Sequence, residues 1–180
     1  MAQTYQQMLN QAISKGMVAD ARTWFDTTYQ DLSSKSTINM ISKGDDRLTK
    51  TLTIGKMYLF HYDPKHKATL PLYDRFPLIF PFEHAENGFL GINFHYLSYT
   101  QRAVLLDNLM SLSSDKTFTD QMKINLNYRL LKGMSKLKSS GECIKRYLNS
   151  HVRSRFFYIK PDEWQKAILL PLDEFVYKKR

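Results

Sequence analysis

Apolar positions in the first third of the chain recur at helical spacing. Tyr5, Met8, Leu9 and Ile13 form one stripe, which ends before Gly16. A second stripe consists of Val18, Ala21, Trp24, Phe25 and Leu32. Residues 33–50 are polar and are predicted to form a loop or a linker. The pattern therefore predicts an N-terminal helical region over residues 1–50.

The apolar period changes to two in the middle third, which is typical of strands. Within residues 54–63, the aromatic residues Tyr58, Phe60 and Tyr62 alternate with the other side chains. A turn is predicted over residues 63–67, and an edge or irregular strand over residues 75–82, because its prolines cannot donate to a sheet. The dipeptide Asn87-Gly88 predicts another turn, and a third strand follows over residues 89–94.

The last half of the chain returns to helical spacing. One helix is predicted around Tyr99–Met110 and a second around Phe118–Met134, with Thr117 or Thr119 as its cap. After Gly141 we expect a third short helix over residues 142–149, then a strand over residues 155–159 and a helix that begins at Pro161. The predicted fold class is α+β, with helices packed around a small aromatic-rich antiparallel sheet or partial barrel. Residues 51–180 would form the main α+β domain.

The composition predicts a folded, soluble protein. Hydrophobic residues make up 43% of the 180 residues and aromatic residues 13%, which is enough for a core. The N-terminus lacks the features of a signal peptide, and no apolar run approaches the ~18 residues of a membrane span. Cys143 is the single cysteine, so no intrachain disulfide can form. We expect a protein that is soluble and intracellular at synthesis, with no membrane partner.

The excess positive charge is concentrated in one segment. Residues 123–160 contain ten bases and one acid, Glu142, so this basic segment carries a net charge of +9. The whole chain also carries +9, and the other residues therefore balance, with 16 bases against 16 acids. A clustered charge of this kind favours a polyanion or an acidic protein surface as the partner.

The sequence gives only weak evidence for catalytic or metal-binding residues. His61, His66, His84 and His95 have no compact ligand spacing, and surface or packed histidines explain them better. Cys143 with His151 is a conceivable nucleophile and base, but a buried structural thiol is the simpler interpretation. The chain has no glycine-rich phosphate loop. We therefore expect a non-enzymatic protein with no cofactor, no metal site and no small-molecule substrate.

The basic segment carries the best functional signal, because its cations alternate with aromatic residues. Phosphate contacts beside aromatic platforms suit nucleic acid, and no recognition helix or zinc finger indicates reading of a specific sequence. A basic surface against an acidic neighbouring protein remains the alternative. The predicted binding residues are Lys132, Lys136, Lys138, Lys145, Arg146, Arg153 and Arg155.

Several motifs resemble a family encoded by large contractile-tailed bacteriophages. These are residues 55–67 (GKMYLFHYDPKHK), 70–78 (LPLYDRFPL), 88–93 (GFLGIN) and 95–97 (HYL). The resemblance continues through Arg102, residues 105–107, Cys143, residues 150–155 (SHVRSR) and Trp164. It covers most of the chain between Ile54 and Leu172, and none of its motifs is catalytic.

The resemblance implies a virion-associated protein, either a structural protein of the neck or baseplate or a protector of DNA ends. We therefore expect a non-enzymatic structural component of a tailed-phage virion, in the tail, baseplate or head–tail neck. Its basic face would lie toward DNA or an acidic neighbouring subunit. The alternative is a protein that binds and protects the ends of packaged phage DNA. Its location would be the virion, and the host cytoplasm during assembly.

Overall fold

The computed structural model describes residues 4–14, 18–31, 47–70, 72–135, 142–170 and 176–178. Within these ranges there are five α-helices and eight strands. The helices are α1 (Tyr5–Ser14), α2 (Val18–Asp31), α3 (Tyr99–Ser114), α4 (Asp120–Ser135) and α5 (Trp164–Ile168). The strands are β1 (Leu48–Thr49), β2 (Met57–Leu59), β3 (Leu72–Asp74), β4 (Leu78–Ala85), β5 (Gly88–Asn93), β6 (Ile144–Leu148), β7 (Phe156–Ile159) and β8 (Val176–Lys178).

Six of the strands form one open sheet in the order β1-β7-β2-β4-β5-β6, and every pair in it is antiparallel. Strands β3 and β8 form a separate antiparallel pair. The predicted α+β class is confirmed, with an open sheet and not a closed barrel. None of the described helices combines the length and the apolar character that crossing a bilayer requires.

The alternation in β2 separates two hydrophobic clusters, one on each face of the sheet. Met57 and Leu59 belong to the larger core, which the helices cover. Tyr58, Phe60 and Tyr62 belong to an aromatic cluster on the opposite face, so the predicted aromatic face of this strand is confirmed. The ring of Phe60 lies 5.4 Å from that of Tyr147 and 5.1 Å from that of Phe156. These edge-on ring contacts fix the face on which the candidate site lies.

The N-terminal helices pack into the main core. Tyr5 and Leu9 of α1 and Phe25 of α2 are buried in the same cluster as the sheet residues. The backbone amide of Tyr5 donates to the Asp107 carboxylate on α3 over 2.6 Å. The predicted division of the chain at residue 50 stays a prediction about folding units.

Strand β4 is irregular, as predicted, but it lies inside the sheet between β2 and β5 and not at an edge. Of the two predicted alternatives the irregular strand holds, because the register of β4 shifts between Pro81 and Glu83, and the edge strand does not, because β4 pairs on both sides. The bulge leaves Phe82 without a partner on β5, directly after Pro81, which lacks an N–H, and the register continues on either side. The carbonyl of Pro81 still accepts a hydrogen bond from the Gly55 amide over 3.1 Å.

The predicted short helix over residues 142–149 was also wrong, because Ile144–Leu148 is strand β6. It pairs with β5 from Ile92↔Ile144 to Gly88↔Leu148 and forms one edge of the sheet. The apolar positions of this segment fit both a helix and a strand locally, and pairing with β5 decides the outcome. Strands β1 and β3 were not predicted, and they lie outside the alternating runs.

Candidate nucleic-acid interface

The predicted binding residues come from three parts of the fold. Lys132 lies on α4, Lys145 and Arg146 on β6, and Arg153 and Arg155 in the segment that leads into β7. Lys136 and Lys138 lie outside the described residues. The assignment of these residues as one binding set stays a prediction.

Two of these cations already face a carboxylate. Lys132 Nζ lies 3.3 Å from Glu83 Oε2 and donates to the Tyr128 hydroxyl over 2.8 Å. The hydrogen bond to Tyr128, followed by the one to Glu83, raises the pKa of Lys132. Arg153 Nη2 lies 3.4 Å from Asp63 Oδ2. A phosphate at either position would therefore compete with a protein carboxylate.

Asp63 joins the basic segment to the loop formed by residues 63–70. Its other carboxylate oxygen accepts a hydrogen bond from Lys67 over 2.7 Å, and its amide donates to the His151 carbonyl over 3.0 Å. The hydrogen bond from Lys67 is the main cause that lowers the pKa of Asp63. Arg153 is therefore held next to the 63–70 loop, which carries further cations of its own.

Lys145 and Arg146 are consecutive on β6, so their side chains leave the sheet on opposite faces. The ammonium of Lys145 lies 4.0 Å from the centroid of the Tyr96 ring, and burial lowers its pKa. The guanidinium of Arg146 donates to the Glu86 carbonyl over 2.8 Å. Within the described part of the chain, no ion pair with a carboxylate involves Lys145, Arg146 or Arg155.

The register of the sheet places Arg146 and Lys132 on the same side. Glu83 opposes Leu90, and Leu90 opposes Arg146, so all three side chains share one face. Lys132 lies over that face, because its ammonium forms an ion pair with the Glu83 carboxylate. Lys145 projects from the other face, together with Tyr147. The structure thus divides the predicted cations between the two faces near the β6 edge.

A pocket of about 490 Å³ lies between the 63–70 loop and β6. Four tyrosines contribute to its wall, and three titratable nitrogen-bearing side chains lie at its mouth or inside it. The tyrosines are Tyr62, Tyr73, Tyr96 and Tyr147, and the nitrogen-bearing residues are Lys65, His66 and Lys145. The rest of the lining is Pro64, Leu70, Asp74, Asn93, Arg146 and Leu148.

The inner wall of the pocket is a buried hydrogen-bond network. Asn93 Nδ2 donates to Asp74 Oδ2 over 3.2 Å and to the Tyr147 hydroxyl over 3.1 Å. His95 Nδ1 contacts the same Asp74 oxygen, and the other oxygen of Asp74 accepts the Phe76 amide over 2.9 Å. Burial, followed by the charge of Asp74, raises the pKa of Tyr147. The network fixes the shape of the wall, because its groups already hold one another.

Cys143 is buried, as predicted, and burial raises the pKa of its thiol. It precedes β6, and its carbonyl accepts the Asn93 amide over 2.8 Å. His151 Nδ1 donates instead to the Asp63 carbonyl over 2.7 Å. The geometry gives Cys143 and His151 separate structural contacts and assigns them no reaction.

Sequence reasoning missed the pocket, because its wall is assembled from four separate segments. These segments are residues 62–70, 73–74, 93–96 and 145–148. The first three lie almost wholly within the motifs that carry the family resemblance. Tyrosines beside Lys65 and His66 were the available signal, although a turn explained those two residues equally well.

A family model described as phage T4 terminal DNA protecting protein matches residues 4–180. No curated protein and no solved structure matches the chain. The match spans nearly the whole chain, including the N-terminal helices, the pocket and the basic segment.

Proposed function

Since the chain belongs to the phage T4 terminal DNA protecting protein family, we propose that it binds the ends of phage DNA and protects them. The match over residues 4–180 carries this proposal. Of the two functions predicted from the sequence, it supports the DNA-end protector better than the broader structural role. The protein would be present on DNA ends in the virion and in the host cell.

The charge distribution supports a phosphate-binding role. Lys145, Arg146 and Arg155 form no ion pair with a carboxylate in the described part of the chain, although the charge of Glu142 partly compensates that of Lys145. Neutralising DNA phosphates releases condensed counterions, which makes such binding strong at low salt and independent of sequence. Lys132 and Arg153 would contribute less, because Glu83 and Asp63 already hold them.

Protection would result from occupancy of the end and not from a reaction. The family description names protection of DNA. The thiol of Cys143 and the ring of His95 are buried, so neither is placed to meet a phosphodiester. A bound protein at the terminus would exclude an exonuclease sterically.

An exonuclease assay on linear duplex DNA tests this proposal directly. The protein should slow digestion of linear DNA, and the logarithm of its binding constant should fall linearly with the logarithm of the salt concentration. The double variant Arg146→Gln, Arg155→Gln should bind more weakly, and its salt slope should be smaller by about 1 for each phosphate that the variant no longer neutralises. Thermal unfolding of the variant must first match that of the parent protein.

The matched control is Lys50→Gln, Lys116→Gln, which removes the same charge from exposed positions outside the basic segment. It should protect DNA nearly as well as the parent protein. If the protein leaves digestion unchanged at low salt, the proposed function is wrong. Binding to an acidic virion subunit without protection of DNA would instead support the structural role.

A further inference from the structure

We propose that the pocket between the 63–70 loop and β6 receives the terminal nucleotide of a DNA strand, with its phosphate at Lys145. This inference rests on the proposed function and specifies how an end would be recognised. The pocket volume of about 490 Å³ lies within the ~300–1,000 Å³ typical of small-ligand sites. It suits one nucleotide and not a section of duplex.

The tyrosines provide surfaces for the base. Tyr73 and Tyr96 are partly exposed at the pocket. Tyr147 is stacked on Phe89 with ring centroids 5.4 Å apart, and the Tyr62 hydroxyl accepts the Leu148 amide over 3.1 Å. These contacts hold the inner wall rigid. Stacking on aromatic rings accepts every base, which suits recognition of an end without regard to sequence.

Lys145 is the cation best placed for the phosphate. It is half-buried, lies 4.0 Å from the Tyr96 ring centroid and forms no ion pair with a carboxylate of the described residues, and the charge of Glu142 only partly compensates its own. Burial lowers its pKa, which shows that its charge lacks full compensation from the protein. A bound phosphate would supply that compensation, and Lys65 and His66 at the mouth lie where further phosphates would approach.

Asp74 orients the ligand by repulsion. Its carboxylate lines the pocket and already accepts from Phe76 and Asn93. The negative charge at this inner position disfavours a phosphate there. The sugar and base would therefore lie toward Asp74 and the tyrosines, and the phosphate toward Lys145 and the mouth.

A single-nucleotide pocket also distinguishes an end from the middle of a duplex. A nucleotide must leave its stack and its pair before it can enter, which costs free energy within a duplex and least where the strand is already unpaired. Terminal base pairs have a neighbour on one side only, so opening them costs less. The pocket would thus favour ends through the energetics of the DNA itself.

Two DNA molecules of the same sequence test the proposal by fluorescence anisotropy. One is a linear duplex with open ends, and the other is the same duplex joined end to end into a covalently closed circle, which has neither ends nor unpaired loop nucleotides. The parent protein should bind the open duplex at least about tenfold more tightly, the effect expected for one charge-assisted phosphate contact. Excess dAMP should reduce this preference.

Two variants test the pocket, one by removing a charge and the other by filling its space. Lys145→Met removes the phosphate contact, and Leu70→Trp fills the mouth while it keeps every charge. Leu70 is 38% exposed, so its replacement leaves the core intact. Both variants should bind the open and closed duplexes equally, and Leu70→Trp should bind the closed duplex as the parent protein does. Lys116→Met is the charge-matched control and should keep the preference for open ends.

The outcomes separate the pocket from the proposed function. If Leu70→Trp and Lys145→Met fold and keep the full preference for open ends, the pocket assignment is overturned while DNA-end binding stands. If the parent protein binds neither duplex, the proposed function fails, and this inference fails with it. Competition by polyglutamate as effective as that by dAMP would assign the pocket to an acidic protein segment and overturn the nucleotide proposal.

Discussion

Arg102 is a buried guanidinium that connects α3 to the C-terminal end of α5. It donates to the carbonyl of Leu97, and to those of Ala167 and Ile168 over 3.3 and 3.2 Å, and it also contacts the Leu170 carbonyl. Carbonyl groups at a helix C-terminus have no partner within the helix, and a cation there also complements the helix dipole. Burial lowers the pKa of Arg102 to about 10, so it stays charged at neutral pH.

Replacing Arg102 by Ala should strongly destabilise the protein. The change leaves several buried carbonyl groups unpaired, and each unpaired group costs about 1–3 kcal/mol. We expect a decrease of about 3 kcal/mol or more in the free energy of unfolding, measured by urea denaturation. Arg129→Ala, at an exposed position on α4, should change it by less than about 0.5 kcal/mol. A small effect at Arg102 would show that water replaces the guanidinium.

At the level of elements, the junction of β5 and β6 leaves no room for a side chain at Gly88. A Cβ atom there would lie 1.9 Å from the Tyr147 carbonyl oxygen, which belongs to the neighbouring strand. At Gly91, three residues along the same strand, the nearest atom would be Ile79 Cδ1 at 2.9 Å. A side-chain methyl can rotate away, whereas a paired backbone carbonyl cannot move without opening the ladder.

Gly88→Ala should therefore destabilise the protein by about 2–4 kcal/mol, because overpacking against fixed backbone is costly. Gly91→Ala is the matched control and should cost about 1 kcal/mol or less. Urea denaturation gives both values. Amide hydrogen exchange should also accelerate across β6 in the Gly88 variant alone. Equal destabilisation of the two variants would contradict this account of the β5–β6 junction.

Elements that follow from local patterns were predictable from the sequence, whereas elements that depend on contacts between distant residues were not. The stripes in α1 to α4 and the alternation in β2 are local patterns, and they predicted these elements correctly. Ile144, Tyr147 and Leu148 have a spacing that fits a helix, but β5 pairs with them as a strand. The fold class was predictable, whereas the identity of β6 depends on a contact between distant residues.

The candidate site depended even more on tertiary structure. The sequence identified Lys145 and Arg146 as cations but could not show that Lys145 lies 4.0 Å from the Tyr96 ring centroid at the pocket. Asp74 and Asn93 are unremarkable in the sequence, and the fold brings them together 3.2 Å apart. Pro77 and Pro81 predicted an edge or irregular strand, because a bulge cannot be distinguished from an edge without the register.

At the scale of the whole molecule, the buried tyrosines should make the protein less stable at alkaline pH. Burial is the main cause that raises the pKa of five tyrosines above the usual value of 10, and that of Tyr5 reaches about 12. These tyrosines are Tyr5, Tyr62, Tyr96, Tyr147 and Tyr158. In the unfolded chain they ionise near pH 10, so the folded state holds more protons above that pH.

The free energy of unfolding should therefore be nearly constant up to about pH 9 and fall by at least about 1 kcal/mol by pH 11. Cys143 acts in the same sense as the tyrosines, since burial raises the pKa of its thiol, whereas Lys145 and Arg102 act in the opposite sense, because burial lowers their pKa, and are outnumbered. Urea denaturation at pH 7, 9 and 11 measures the effect. Tyr5→Phe removes one ionisable group and should reduce the decrease, since Phe keeps the ring and gives up the hydroxyl contact to Pro161. Stability that holds or rises between pH 9 and 11 would mean that these hydroxyls ionise in the folded protein as freely as in water.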